Sequence, residues 1–275
     1  MKRLVPGLPA QVVAFAWIAF SAPTLAQTVL ITGANSGLGL EFARQYAGAG
    51  WDVIATHRRS STPATLVQLR DEFDSVRIER IDVTSEADSQ ALAQRLEGVA
   101  IDVLINNAGV YNDRSGCQAE DCPGDWRTQD FGNLRYDLFD TVFAVNVKGP
   151  LNVSEALRDN IAASDQKKLV VISSSNGSLT DSLGGSGAIF YRASKAALNR
   201  AMQLVALDQH DAGITVLMMN PGPVLTERQE YMREQFSDVM LEMHDSVGGM
   251  IEQIAVATLE DSGRFIQYDG ATVPW

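Results

Sequence analysis

The sequence predicts an α/β fold, a doubly wound and mostly parallel sheet with helices on both faces. Strand-like and helix-like segments alternate along the whole chain, which is typical of β-α-β units. The 275 residues, 45% of them apolar, suffice for one sizeable core, and no linker or repeat divides them. Seven segments are predicted as strands: Val29–Thr32, Trp51–Thr56, Val76–Ile81, Val103–Asn106, Leu169–Ser173, Thr215–Asn220 and Arg264–Tyr268.

A glycine-rich turn, Thr32–Gly39 (TGANSGLG), follows the first predicted strand and precedes a helical pattern that begins at Leu40. Such a turn lets the backbone approach a pyrophosphate, which then rests on the N-terminus of the helix. Dense glycines also occur in tight turns without a ligand. The strand–turn–helix context favours nucleotide binding.

The end of the second strand bears on the choice of nucleotide. Enzymes that use NAD usually place a carboxylate there, which holds the ribose 2′-hydroxyl. Here the strand runs into His57, Arg58 and Arg59, with no carboxylate. Guanidinium groups suit a 2′-phosphate, so the sequence favours NADP(H) over NAD(H). The alternative is a solvated arginine pair in a loop, and His57 is predicted to be a loop residue.

Two more strands end in polar residues. Residues 106–109 (NNAG) follow the fourth strand, where asparagines also serve as plain turn residues. Residues 173–177 (SSSNG) follow the fifth strand and lie upstream of Tyr191.

Tyr191 and Lys195 are four residues apart in a helical pattern, so they share one face of the helix. We expect the ammonium to lie close to the phenol and to lower its pKa toward the working pH. That would make Tyr191 a general acid/base for carbonyl or alcohol chemistry. The alternative for such a spacing is a solvated pair on a helix surface.

Together these motifs resemble the short-chain dehydrogenase/reductase family, in its single-domain branch, across 28–275. The C-terminal residues 261–275 resemble the tail of C-factor-like and Sniffer-type carbonyl reductases. The resemblance implies a Rossmann-type doubly wound, mostly parallel seven-stranded sheet with helices on both faces. It also implies a homo-oligomer, dimer or tetramer, that acts on a small-molecule carbonyl or alcohol.

The resemblance implies a catalytic set of Ser174, Tyr191, Lys195 and Asn146. The stretch Gly184–Gly187 lengthens the usual spacing between serine and tyrosine, which leaves Ser178 as an alternative to Ser174. The strand-end pattern favours Ser174. The cofactor-binding residues implied by the resemblance are Gly33, Asn35, Ser36, Gly37, Leu38, Gly39, Arg58, Asp82, Val83, Asn107, Ala108, Gly109, Tyr191, Lys195, Pro221, Gly222, Val224 and Thr226.

Residues 1–26 are predicted to be a signal peptide ahead of a single catalytic domain, 27–275. Lys2 and Arg3 precede an apolar stretch over 12–20, and 24–26 (TLA) offers a cleavage site. The apolar stretch is too short for a comfortable membrane span. Cleavage would place the protein in the periplasm or outside the cell. The alternatives are an uncleaved anchor, or a cytoplasmic protein whose start codon lies further downstream.

Cys117 and Cys122 lie in a polar segment and would close a disulfide in an oxidising compartment. In a reducing cytosol they would be two thiols. Neither cysteine has a histidine nearby in the sequence to complete a metal site, so no metal is expected. The net charge of −12 excludes a broad basic surface for nucleic acid.

The leading hypothesis is an NADP(H)-dependent reductase of an aldehyde, ketone or quinone, or the reverse oxidation. The apolar pattern of Tyr231–Met243 fits either a substrate lid or ordinary packing. A cofactor-binding regulator or C-factor-like signalling protein with little turnover is the alternative. An epimerase or dehydratase of the extended branch is disfavoured by the glycine spacing.

Overall fold

A seven-stranded sheet forms the centre of the computed structural model, which describes residues 26–112, 125–180, 186–227, 234 and 238–275. The seven strands are β1 Thr28–Ile31, β2 Asp52–His57, β3 Val76–Arg80, β4 Val103–Asn106, β5 Lys168–Ile172, β6 Thr215–Asn220 and β9 Phe265–Gln267. Their order in the sheet is β3-β2-β1-β4-β5-β6-β9, and every neighbouring pair is parallel. Two short strands, β7 Val224–Leu225 and β8 Leu241–Glu242, pair separately.

Helices cover both faces of the sheet. They are α1 Gly37–Gly48, α2 Ala64–Glu72, α3 Glu86–Arg95, α4 Tyr136–Phe143, α5 Gly149–Ala156, α6 Arg158–Ala162, α7 Ile189–Gln209 and α8 Met243–Val256. A π-helical turn, Ala144–Lys148, joins α4 to α5.

The strand β1 shows why one sheet needs two helical layers. Its side chains alternate between the faces, so Val29 and Ile31 join one core cluster and Leu30 joins the other. The first cluster includes Phe42 of α1 and Met250 of α8. The second includes residues of α3, α5 and α7. Because both faces are covered, parallel strands of this kind are apolar throughout.

The structure confirms the predicted fold class and all seven strands of the main sheet, and no strand end is shifted by more than one residue. One local prediction was wrong. His57 is not a loop residue but the last residue of β2, paired in register with Arg80 and only 5% exposed. The strands β7 and β8 were not predicted, since two residues are too few to show a periodic pattern.

Several predictions fall outside the described residues. They concern the signal peptide, the pair Cys117 and Cys122, and six of the thirteen residues of the Tyr231–Met243 segment. At the end of that segment, Leu241–Glu242 is strand β8 and Met243 begins α8. Among the helices that the structure describes, none combines the length and the apolar character needed to cross a bilayer.

The strand order places a crevice over the centre of the sheet. The chain runs outward from β1 to β3 on one side and from β4 to β9 on the other. Connections on the two sides therefore diverge between β1 and β4. In open α/β sheets, ligands bind at this point, beyond the carboxyl ends of the strands.

Candidate active site

A cleft of about 640 Å³ follows the carboxyl ends of β1 to β6. Fifteen of the predicted cofactor-binding residues line it: Gly33, Asn35, Ser36, Gly37, Leu38, Arg58, Asp82, Val83, Asn107, Ala108, Gly109, Tyr191, Lys195, Pro221 and Thr226. Five predicted site residues are not among the lining residues: Gly39, Asn146, Ser174, Gly222 and Val224.

The glycine turn between β1 and α1 depends on glycine for its backbone shape and for close contacts. Gly33 and Gly37 have φ angles of 66° and 56°, in the left-handed region that favours glycine. A Cβ atom on Gly39 would lie 2.4 Å from the Gly33 carbonyl oxygen. Gly39 therefore permits α1 to pack against the turn, although it does not line the cleft. The turn presents the N-terminus of α1 to the cleft, as pyrophosphate binding requires.

Asn107 holds the glycine turn in place from the neighbouring strand end. Its Nδ2 donates to the carbonyl oxygens of Thr32, at 3.0 Å, and Gly33, at 3.2 Å. In return, the Thr32 hydroxyl oxygen accepts hydrogen bonds from the backbone N–H groups of Asn107 and Ala108, each at 3.0 Å. The two turns that follow β1 and β4 thus form one hydrogen-bonded unit.

A cluster of charged residues lies where β2 and β3 end at the cleft. Burial lowers the pKa of His57, and the nearby charges of Arg80 and Arg59 lower it further. Burial tends to raise the pKa of Asp82, but hydrogen bonds from Thr84 and the charges of Arg58 and Arg80 outweigh it and lower that pKa. Asp82 is therefore an anion beside Arg58.

Ser174, Tyr191 and Lys195 lie together at the end of β5. A side-chain hydrogen bond joins the Ser174 hydroxyl to the Tyr191 phenol. The Lys195 Nζ atom lies 5.7 Å from the centre of the Tyr191 ring and donates to the Ile172 carbonyl oxygen at 2.7 Å. Ser178, the alternative serine, instead accepts a hydrogen bond from the Thr180 N–H. The structure thus brings Ser174 to Tyr191.

The predicted direction of the Tyr191 pKa was wrong. Burial raises the pKa of Tyr191 to about 12, the Ser174 hydrogen bond opposes this increase, and Tyr111 adds to it. Burial also lowers the pKa of Lys195 to about 8. The loss of water around the phenol is the largest of these effects on the Tyr191 pKa. Near neutral pH, Tyr191 is consequently a protonated phenol.

Asn146 lies in the π-helical turn between α4 and α5, and π-turns are frequent at functional sites. Its Oδ1 atom accepts from the Val110 N–H, and its Nδ2 donates to the Val110 carbonyl oxygen, both at 2.8 Å. Nδ2 also donates to the Ser194 hydroxyl at 3.0 Å. The side chain of Asn146 therefore connects the segment after β4 to α7, the helix of Tyr191 and Lys195.

Sequence reasoning missed three polar residues of the site. The Tyr111 ring packs edge-on against Tyr191 with the ring centres 4.6 Å apart. The amide of Gln129 binds the Tyr191 backbone. The Glu227 carboxylate reaches the glycine turn. For Glu227 a signal was available, since it directly follows Thr226 in a predicted cofactor segment; neither of the other two belongs to a motif.

The family model of the short chain dehydrogenases matches residues 27–237. The chain belongs to the short-chain dehydrogenase/reductase family. It is an oxidoreductase of the NAD(P)-dependent type, which confirms the predicted family and enzyme class.

The chain is similar to proteins of different named activities. It is 32% identical over 250 residues to the 1-hydroxy-2-glutathionyl-2-methyl-3-butene dehydrogenase of Rhodococcus sp. (strain AD45), which covers 90% of this chain and 99% of the relative. It is 34% identical over 175 residues to C-signal of Myxococcus xanthus, and the match covers 64% of this chain and 93% of C-signal.

Among solved structures, the chain is similar to the NADPH-bound carbonyl reductase from chicken fatty liver. The TM-score is 0.79 at 27% identity, and the match covers 91% of this chain and 99% of the other. The matches to C-signal and to the chicken carbonyl reductase support the predicted subgroup.

Proposed function

We propose that the protein is an NADP(H)-dependent carbonyl reductase that acts on an aldehyde, ketone or quinone, or catalyses the reverse oxidation. One observation carries the proposal. A phenol with a raised pKa lies beside a serine hydroxyl and a buried ammonium, at a cleft that begins with a glycine turn. The NADPH-bound carbonyl reductase of similar structure supports the same class of reaction.

The residues of the cleft fit a dinucleotide. We assign the pyrophosphate to the turn of Gly33 and Gly37, where backbone N–H groups of α1 begin. Arg58 and Arg59 would bind a 2′-phosphate, and Asp82 with Val83 would contact the adenine. Residues 221–226 would contact the nicotinamide end of the cofactor, and Pro221 and Thr226 of this segment line the cleft. When bound, the nicotinamide supplies or accepts the hydride.

The protein's own groups handle the proton. Ser174 would donate a hydrogen bond to the substrate carbonyl oxygen, and Tyr191 would give that oxygen its proton as the alcohol forms. A pKa of about 12 keeps the phenol protonated near neutral pH, which is the form that can donate the proton in reduction. Lys195 would bind the cofactor ribose, and Asn146 would position a water between Lys195 and solvent. Oxidation uses the same groups in reverse.

The test is turnover of NADPH, with NADH as comparator, against a panel of aldehydes, ketones and quinones. We expect NADPH oxidation with at least one carbonyl class and a lower kcat/KM with NADH. Tight NADPH binding without turnover of any panel member would overturn the reductase proposal.

That outcome would favour a second candidate, a cofactor-binding signalling protein. The similarity to C-signal over 175 residues is the observation that supports it. In that case substitution of Tyr191 would leave the biological activity unchanged, whereas substitutions in the glycine turn would abolish it. A homo-oligomeric assembly is part of either proposal, and its measurement is the molar mass in solution.

A further inference from the structure

The helix α7, which carries Tyr191 and Lys195, begins without a capping side chain of its own. Its N-cap residue is Ala188, whose φ angle of 49° is left-handed and whose methyl group cannot accept a hydrogen bond. The first backbone N–H groups of a helix have no partner within the helix. In many helices a serine, threonine, aspartate or asparagine at the N-cap accepts from the third residue. In α7 that third residue is Tyr191.

Gln129 takes the place of the missing cap from a distant part of the chain. Its Oε1 atom accepts a hydrogen bond from the Tyr191 N–H at 2.8 Å, across 62 residues of sequence. The Gln129 side chain is completely buried. A helix N–H that loses its acceptor inside the protein destabilises the fold, so this contact is more than incidental.

The nitrogen of the Gln129 amide binds the segment that follows strand β4. The Gln129 Nε2 atom donates a hydrogen bond to the backbone carbonyl oxygen of Tyr111. Because one partner only donates and the other only accepts, the orientation of the amide is fixed. The Tyr111 ring lines the cleft and packs edge-on against the Tyr191 ring. One amide therefore holds the backbones of two tyrosines whose rings are in contact.

The neighbouring residue strengthens this connection. A Cβ atom added to Gly187 would lie 2.6 Å from an Oδ1 atom of Asp130, directly after Gln129. Gln129 and Asp130 thus lie against Tyr191 and Gly187, respectively, on the two sides of the helix start. The start of α7 is fixed against this segment by close packing and by the Gln129 hydrogen bonds.

We propose that Gln129 is a positioning residue for Tyr191, which sets the start of α7 and thereby the place of the phenol at the cleft. The proposal rests on the proposed function, in which Tyr191 donates the proton. Gln129 does not line the cleft and acts through Tyr191 and Tyr111. An error of about 1 Å in the place of a reacting group can cost about a hundredfold in rate.

The variant Gln129→Met removes both hydrogen bonds at similar volume. Gln129→Asn keeps the amide but is one methylene too short to reach both partners, and it carries the test if the methionine variant does not fold. The control is Arg127→Ala, because Arg127 lies in the same 3₁₀ turn as Gln129, Trp126–Gln129, is exposed and pairs with Asp125. All are compared with wild type as full chains with NADPH.

The first measurement does not need catalysis. Hydrogen exchange of the Tyr191 backbone amide should accelerate at least about tenfold in the Gln129 variants and stay unchanged in the control. Unchanged exchange in a folded Gln129 variant would overturn the inference, whether or not the wild type reduces carbonyls. Failure of the wild type in the carbonyl panel concerns the proposed function alone.

The second measurement is kinetic. We expect kcat to fall about tenfold or more, the Kd for NADPH to change less than about twofold, and the isotope effect with 4-deuterated NADPH to increase. A merely structural role would lower the active fraction and leave KM, pH profile and isotope effect as in wild type. That result would equally overturn the inference.

Discussion

The carboxylate of Glu227 accepts a hydrogen bond from the Gly37 N–H at 3.3 Å, at the N-terminus of helix α1. This carboxylate lines the cleft at the turn that we assign to the cofactor pyrophosphate. A backbone N–H at a helix N-terminus is a favourable site for one anion, so carboxylate and pyrophosphate compete for it.

Glu227→Gln should therefore tighten NADPH binding. Glu227 is exposed, so the repulsion is screened, and we expect the Kd to fall about threefold to tenfold at low salt and less at high salt. NADH should gain equally, since both cofactors carry a pyrophosphate. Fluorescence titration measures this effect, and the exposed Glu252→Gln on α8 is the control. Weaker binding to the glutamine variant would show that Glu227 assists the cofactor.

Replacement of both Arg58 and Arg59 by alanine should shift the cofactor preference toward NADH. A charge-assisted contact to phosphate is worth about 1.5–3 kcal/mol, so kcat/KM for NADPH should fall about tenfold or more. The value for NADH should hardly change. Arg70→Ala, an exposed arginine on α2, is the control. Equal losses with both cofactors would mean that these arginines do not recognise the 2′-phosphate.

The pH dependence follows from the burial of Tyr191. Because its pKa is raised to about 12, the phenol of the cofactor-free protein stays protonated across the neutral range. Ultraviolet difference titration of wild type against Tyr191→Phe should show no phenolate from Tyr191 below about pH 10. Alcohol oxidation, which needs the deprotonated phenol, should rise with pH. An ionisation of Tyr191 near pH 7 would contradict this account and restore the direction predicted from the lysine spacing.

Lys195, in contrast with Tyr191, loses its proton near neutral pH. Burial lowers the pKa of Lys195 to about 8, so its ammonium is lost as the pH rises above that value. If the ammonium binds the cofactor ribose, KM for NADPH should increase above about pH 8. A KM for NADPH that stays constant up to about pH 9.5 would show that the Lys195 ammonium does not contribute to cofactor binding.

Most of the fold can be predicted from the sequence. Buried parallel strands are apolar throughout, which reveals the sheet, and the glycine-rich motif between β1 and α1 reveals the cofactor turn. The Tyr191 pKa could not be predicted. Spacing shows that Lys195 is near, but the loss of water around the phenol is a property of the packed structure. Gln129 and Glu227 were missed for a related reason, since their partners lie 62 and 190 residues away.

The N-terminal prediction requires protein from its native compartment. If residues 1–26 are a cleaved signal, the intact mass should correspond to a chain that begins at Gln27 and has lost two hydrogens through a Cys117–Cys122 bridge. Full-length cytoplasmic protein whose two cysteines alkylate without reductant would reject export. The reductase proposal would be unaffected, since none of its assigned residues lies in either segment.

The most direct test of the central claim is the single-turnover rate of Tyr191→Phe with bound NADPH and a carbonyl substrate. Phenylalanine keeps the ring that packs against Tyr111 and removes only the hydroxyl that is hydrogen-bonded to Ser174. We predict that hydride transfer falls at least about a thousandfold, while the Kd for NADPH stays within about threefold of wild type. Retention of a tenth or more of the wild-type rate, with NADPH bound normally, would contradict the assignment of Tyr191 as the proton donor.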